Sequence, residues 1–479
     1  MNSSASAPSA AGGPSAAGGQ GAALVAALLF IALVVAVIGS LGAPLITAVA
    51  QDYRVSLTAS QWTLTITLLS GAVATPLLGR LGSDRRRRPV VLGTLAVVVA
   101  GSVATVTPAP FAVLLVGRAA QGVGLGLTAL MMATARQHLG ERAPGTIAML
   151  SVASTVGIGV GYPVAGLLTQ VGGVRAAYLL GVVIAVAALI TAIVALPRDP
   201  ADAPRDGPVD WTGAVLLSLG LVAVLLVTSE AEIWISDPIV AAAFLAVGVV
   251  VLAGWVAVER RARRPLVDVM ALRHPAVARA NVIMGVSGIA MYLLFTLITR
   301  YVQTPPQIGY GYGLTDFEAG LVLAPFSGLG FLAGRVVPRL QQRVGPFPLL
   351  AVSGVVVAAA CCLFASTRTL GVAWPIVAMS MLGFGVGGFS ATMPQAILAV
   401  TPAEETAAAM SVNQVVRSVG FSIGSAVSGL VLAAHTPAGD FAPTGSGYPT
   451  AAWVGAALAI VSIALATSIG PFQRGGKGW

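Results

Sequence analysis

The 479-residue chain is 57% hydrophobic and only 9% charged, with a mean hydropathy of +0.91, which excludes a soluble domain whose surface faces water. A formal charge of +9 would suggest nucleic acid in a soluble protein. Here the basic residues stand between apolar segments, so the charge reads as membrane topology and nucleic acid is not a partner.

In chain order, residues 1–21 are almost all Ser, Ala, Gly and Pro, with no charged or aromatic side chain. They bury too little surface to order themselves, and a disordered cytoplasmic tail is expected. Fourteen apolar runs follow, each near the roughly 20 residues of a bilayer crossing. They lie at 22–50, 60–79, 89–107, 111–134, 146–170, 174–196, 211–229, 238–257, 280–303, 317–337, 347–366, 373–400, 407–434 and 449–470. Ala48-Val49-Ala50 has the form of a signal-peptidase site, but the first run is about twice a normal h-region and lacks a basic n-region, so it reads as a membrane helix. Adjacent Cys361 and Cys362, inside the eleventh run, give neither a disulfide framework nor a metal-ligand spacing. Thr401-Pro402-Ala403-Glu404 ahead of the thirteenth run has the form of a capping box.

Basic residues cluster in alternate connections. One side holds Arg80, Arg85 to Arg88, Arg136, Arg142, Arg198, Arg205, the arginines from Arg260 to Arg279, Arg335, Arg339, Arg343, Arg474 and Lys477. The other holds Arg54, Arg175, Arg300 and Arg368. The positive-inside rule places the first side, with both termini, in the cytoplasm. Gly79 to Leu92 and Gly334 to Leu350 each open with Gly-Arg and continue with basic residues, a degenerate internal repeat. The expected fold is therefore an all-α polytopic membrane protein of two six-helix bundles, 22–196 and 280–470. A linker at 197–279 carries two extra membrane helices, and 471–479 forms a cytoplasmic tail.

Arg118, Gln121, Gly122 and Leu125 share one face of the fourth helix. A buried arginine costs several kcal/mol, so it points into a polar cavity or is satisfied by carbonyls and hydroxyls that join two helices. In the fifth helix Gly157 and Gly161 permit close approach of a neighbour, Gly166 continues the series, and Pro163 after Tyr162 favours a kink; together they suggest a gate. Asn413, Arg417, Gly420 and Gly424 share a face of the thirteenth helix, with Gln414 beside it. Ser40, Trp62, Thr67, Tyr162, Tyr292 and Gln395 are candidate substrate-pocket residues, alongside methionines that make such a pocket adaptable. The acidic residues lie in loops or at helix ends, which favours neutral or anionic amphiphiles over lipophilic cations. Paired carboxylates, a metal cluster and a nucleophile–base arrangement are all lacking, so an enzyme is not expected.

The chain resembles the major facilitator superfamily, and specifically its fourteen-helix drug:proton antiporter branch. Gly79-Arg80-Leu81, Asp84 and Arg85, Arg87 and Arg88 are similar to the loop 2–3 motif that locks one conformation, with Asp84 displaced by one residue. Arg118-x-x-Gln121-Gly122 matches the fourth-helix motif whose arginine is implicated in proton coupling, and Gly157 to Gly166 is similar to the antiporters' fifth-helix motif. Pro208 to Leu221 and Glu259 to Arg273 resemble the surroundings of the branch's extra helix pair. Asn413, Arg417 and Gly420 match its later Arg-x-x-Gly pattern. The branch commonly has an Asp in the first helix, where this chain has Ile38-Gly39-Ser40; Asp52, Glu230, Glu232 and Asp316 are candidates to replace it. The resemblance implies a monomeric exporter of amphiphilic drugs, dyes or secondary metabolites in a prokaryotic plasma membrane. It would work by alternating access and proton antiport, with no cofactor beyond the proton gradient. A proton-coupled importer, a uniporter, or a sensor or scaffold with this fold are the rivals.

Overall fold

The computed structural model of the chain describes residues 14–42, 45–55, 57–82, 86–198, 210–229, 231–262, 274–403, 405–437 and 443–468. Among them the regular structure is entirely helical. The N-terminal part comprises α1 (Pro14–Ser40), α2 (Ile46–Tyr53), α3 (Leu57–Leu81), α4 (Arg87–Val106), α5 (Phe111–Val123), α6 (Leu127–His138) and the long α7 (Ala143–Ala195). An intervening group follows: α8 (Trp211–Ser229), α9 (Ala231–Ser236) and α10 (Pro238–Glu259). The C-terminal part is α11 (Pro275–Gln303), α12 (Asp316–Val344), α13 (Pro346–Thr367), α14 (Ala373–Leu398), α15 (Thr406–Ala434) and α16 (Gly447–Thr467).

Among the described residues twelve helices are long and apolar enough to cross a membrane, two fewer than the fourteen apolar runs. One difference is α7, which contains two of the expected runs. Gly172 and Gly173 leave helical geometry there, Gly173 at φ 69°, a backbone state that glycine adopts without a Cβ penalty. The second arm returns to the end where the first began, because Ala143 and Leu196 pack in one core. The kink thus falls at these two glycines, while Pro163 lies within the helix. The other difference is α8, whose described apolar stretch, Trp211–Val227, is shorter than a full crossing.

Several boundaries depart from the sequence expectation for local reasons. Helix α1 starts at Pro14, inside the segment expected to be a disordered tail; proline suits a first helical position and the following alanines are good helix formers. The first run divides after Ser40, four residues ahead of Pro44, whose missing N–H cannot continue a helical ladder. The capping box expected at Thr401 is not formed. Thr401 instead donates its hydroxyl to the Ile397 carbonyl at 2.8 Å, and α15 begins at Thr406 behind Glu405 without a side-chain cap. A capping box does occur at α12, where the Glu318 N–H donates to the Thr315 hydroxyl and the Thr315 N–H donates to the Glu318 carboxylate at 2.9 Å.

Two large cores organise the molecule. One joins α1, α3, α4, α6 and both arms of α7, with Leu28, Ile31, Ile38 and Leu130 fully buried; α1 is thereby an integral member of the bundle. The other is formed by α11 to α16 around Leu294, Phe364 and Met379. Helix α10 pairs with α8, and α8 lies against α3 and α15 together; Leu217 and Leu221 of α8 and Trp255 of α10 form a cluster on which Leu77, Val412 and Val415 pack. The inserted helices therefore cover one seam between the two parts, and α7 meets α12 along the opposite seam. There a Cβ on Gly320 would stand 2.8 Å from the Pro163 backbone.

Candidate functional site

Helix α1 ends at Ser40 in the protein interior, and its last carbonyls accept from a side chain of another helix. That side chain is Arg118 of α5, which has no solvent exposure. Its Nη1 donates to the Ile38 carbonyl at 3.0 Å and its Nη2 to the Gly39 carbonyl at 3.4 Å. Its Nε donates to the Thr63 carbonyl of α3 at 3.0 Å. Nη1 also donates to Gln121 Oε1 at 2.7 Å, and Gln121 Nε2 in turn donates to the Ser102 hydroxyl of α4 at 3.0 Å. The guanidinium lies 5.8 Å from the centroid of the Tyr178 ring. One cation thus caps a helix C-terminus, where positive charge is favoured, and ties α1, α3, α4 and α5 together. Its hydrogen-bond partners are all neutral. Thr67 belongs to this junction, donating to the Thr63 and Arg118 carbonyls at 2.8 and 3.2 Å. Gly122 completes it: a Cβ there would fall 2.2 Å from the Thr67 carbonyl oxygen.

Helices α1 and α7 approach closely where the sequence suggested. A Cβ on Gly157 would lie 2.4 Å from that of Ala36, and one on Gly161 would lie 2.1 Å from the Ser40 hydroxyl oxygen. Gly166 is buried one turn beyond.

Between the two cores lies a cavity of about 130 Å³. Ser40 of α1, Tyr162 of α7, Tyr292 of α11, and Gln414 and Arg417 of α15 all border it, so five of the sequence-selected residues converge from both parts of the chain. Phe421, which the sequence reading passed over, completes the wall: its ring stacks on Tyr292 at 5.0 Å, and Tyr292 stacks on Phe295 at 5.5 Å. Arg118 and Gln121 do not border this cavity. Asn413 is turned away from it, its Nδ2 donating to Asn281 Oδ1 at 3.1 Å. Trp62 is half-buried outside the cavity.

Gln395 belongs to a separate cleft of about 950 Å³ bordered by Arg142, Arg335 and Arg339, and donates across it to the Pro144 carbonyl at 2.8 Å. This cleft marks the basic end of the bundle, where the two parts are locked together. Arg136, at the end of α6, donates to the carbonyls of Leu398 (3.2 Å) and Thr401 (2.7 Å) and to the Thr406 hydroxyl (2.9 Å). It thus caps the C-terminus of α14 and grips the turn into α15. The sequence offered Arg136 only as a topological charge, because nothing in one sequence pairs it with carbonyls more than 260 residues away. Gly79 of the loop 2–3 motif packs on α15 beside it: a Cβ there would meet the Ser411 hydroxyl oxygen at 2.4 Å, and Ser411 donates to the Thr75 carbonyl at 3.2 Å. Arg87 donates to Gln137 and to the Gly82 carbonyl, and Arg88 to the Ile193 carbonyl at 2.8 Å. Asp84 and Arg85 lie outside the described residues.

The acids proposed to replace a first-helix carboxylate are scattered. Asp52 is exposed near the end of α2. Glu230 and the side chains of Glu232 and Asp316 lie outside the described residues. Glu259 stands at the end of α10, within the loops and helix ends expected for the acidic residues, but it is 2% exposed and accepts from the Trp255 indole at 3.1 Å.

The family model for the Major Facilitator Superfamily matches residues 28–425. The chain belongs to that superfamily. It is a multi-pass membrane transporter, and its relatives refine the placement. It is 30% identical to the puromycin resistance protein pur8 of Streptomyces alboniger over 410 residues, 82% of this chain and 78% of that one. It is 27% identical to the tetracenomycin C resistance and export protein of Streptomyces glaucescens over 404 residues, 83% and 72% of the two chains. The crystal structure of the human organic anion transporter MFSD10 shares the fold, with a TM-score of 0.67 at 12% identity over 93% of this chain and 99% of that one.

Proposed function

We propose that the chain exports amphiphilic drugs, dyes or secondary metabolites from a prokaryotic cell by alternating access, as a monomer driven by proton antiport. The observation that carries this reading is the cavity between the two parts, bordered by Ser40, Tyr162, Tyr292, Gln414 and Arg417. It lies above a basic end held shut by Arg136 and the Gly79–Ser411 contact. A cargo site flanked by a breakable closure is what alternating access requires. Relatives that confer puromycin resistance and export tetracenomycin C support the direction and the cargo class. The positive-inside rule assigns the basic end, and with it both termini, to the cytoplasm of the plasma membrane. The kinked α7 and the pair α8 and α10 complete fourteen crossings on this reading.

A second reading is favoured by one feature. The hydrogen-bond partners of Arg118 are neutral, and among the described residues no carboxylate borders the central cavity. An anionic cargo would leave a cell of negative interior without proton exchange, gaining about 2.3 kcal/mol per charge per 100 mV. Proteoliposomes with the pH gradient and the membrane potential imposed separately discriminate the two. Cargo flux driven by the pH gradient alone is expected for antiport. Flux that follows the potential alone would replace antiport with uniport, and absence of flux for every amphiphile in a cationic, neutral and anionic panel would reject the exporter.

A further inference from the structure

The central cavity has a definite chemical character. Its charged side chain is Arg417, and its flat wall is Phe421 and Tyr292. The Arg417 guanidinium carbon lies 5.8 Å from the Phe421 ring centroid. Phe421 and Tyr292 are nearly parallel, 17° apart, and Tyr292 and Phe295 are 21° apart, so three rings form one stacked array running from α15 into α11. Tyr162 closes the array edge-on against Phe295 at 6.2 Å.

This wall is set by backbone packing. A Cβ on Gly420 would stand 2.6 Å from the Gly285 carbonyl oxygen, and one on Gly424 would stand 2.3 Å from that of Ile289. Helices α11 and α15 are therefore in close contact on one face of α15, and Arg417 and Phe421 are presented to the cavity from the rest of it. A pre-formed wall lowers the ordering cost of binding.

Electrostatics then choose the ligand. A guanidinium beside an aromatic face, in an interior of low dielectric, favours a negative group and disfavours a cation by the same interaction. Gly39, whose carbonyl Arg118 holds, also borders the cavity, so the second buried cation adds to the same positive field. Gln414 and Ser40 supply neutral donors and acceptors.

We propose that this cavity recognises planar aromatic anions, with Arg417 pairing with the acidic group and the Phe421–Tyr292 face stacking the ring. The proposal rests on the cavity being the cargo site, as argued above. A volume of about 130 Å³ suits a core of one or two fused rings in this conformation.

The test is equilibrium binding, which needs no gradient. Isothermal titration of the full chain in nanodiscs would use three probes of one shape: 2-naphthoate, neutral 2-naphthalenemethanol and the 2-naphthylmethylammonium cation. Naphthoate is expected to bind about tenfold or more tightly than the ammonium, the scale of one charge-assisted hydrogen bond. Arg417→Gln is expected to abolish that preference while the neutral probe binds as before. Arg417→Lys, which keeps the charge and guards against a folding artefact, retains it in part, and Phe421→Ala weakens all three probes together. Equal or tighter binding of the ammonium, a preference that survives Arg417→Gln, or no binding of any probe by the folded chain would overturn the proposal. Selective naphthoate binding without flux in proteoliposomes would reject the export reading and leave this one standing; flux of cationic cargo without naphthoate binding would do the reverse.

Discussion

At the scale of residues, the two buried arginines do different work. Arg118 holds the carbonyls at the end of α1, whereas Arg417 borders a cavity. Removing Arg118 takes a charged donor from the Ile38, Gly39 and Thr63 carbonyls, at about 1.5–3 kcal/mol for each hydrogen bond made by a charged group. Arg118→Ala is thus expected to lower stability by on the order of 3 kcal/mol, read as a lower thermal midpoint in detergent. Arg118→Lys recovers part of it, because a single ammonium cannot reproduce the forked donors. Arg417→Ala is expected to lower that midpoint by less, so equal losses from the two variants would contradict this division of roles. Sequence showed that both arginines were embedded and that Arg118 shared a face with Gln121. It did not show which one bordered a cavity, since that depends on where α1 ends and on α5 meeting α3, a long-range packing outcome. Beyond the membrane segments, burial among Tyr301 and Tyr448 holds the Tyr310 hydroxyl above the ordinary tyrosine range, as burial does for Tyr312. A phenol whose folded pKa is raised contributes stability that is present below the unfolded value and lost as pH rises above about 10. Thermal midpoints measured between pH 8 and 11 should therefore fall at the alkaline end, and Tyr310→Phe should flatten the fall; an unchanged slope would remove Tyr310 as its cause.

At the scale of elements, the glycines that were legible as contact points act between particular helix pairs. Gly161 lets α7 approach α1 at Ser40, beside the cavity. Gly161→Val should force the two apart and cost about 1–3 kcal/mol, measured again by thermal unfolding; a variant of wild-type stability would show that the approach has slack. The gate suggested by Pro163 is less simple, because the helical break is at Gly172 and Gly173. A proline inside a membrane helix is tolerated when neighbours satisfy the freed carbonyl, while two glycines, one in the left-handed region, reverse the chain outright. Hydropathy therefore read two helices correctly in content, and the structure joins them through a turn of two residues. The closure at the basic end was the least legible element. Arg136 caps α14 from α6 through carbonyls, and backbone acceptors have no sequence signature. Arg136→Ala should loosen the turn at 398–406, so that a cysteine replacing the buried Thr401 reacts several-fold faster with a membrane-impermeant maleimide. An unchanged rate would mean that the closure is held elsewhere.

At the scale of the whole molecule, the two cores, the cavity between them and the asymmetric seams give a coherent mechanical picture. Helix α8 covers the α3–α15 seam and touches both parts, while α7 and α12 meet directly along the other. On the proposed alternating access, rocking of one part on the other would slide along both seams without separating them. The internal repeat pointed to two halves and the charge alternation to an orientation, but neither gave the position of the inserted pair, because its apolar surface suits lipid as well as protein. The most direct test of alternating access is a pair of spin-label distances in nanodiscs, in a Cys361→Ser, Cys362→Ser background, with and without 2-naphthoate. One pair joins positions 145 and 399 at the basic end, the other 171 and 370 at the opposite end. The account predicts opposed changes, with the basic-end distance lengthening in the population whose opposite-end distance shortens. Distances that stay fixed at both ends, or that lengthen together, would contradict it.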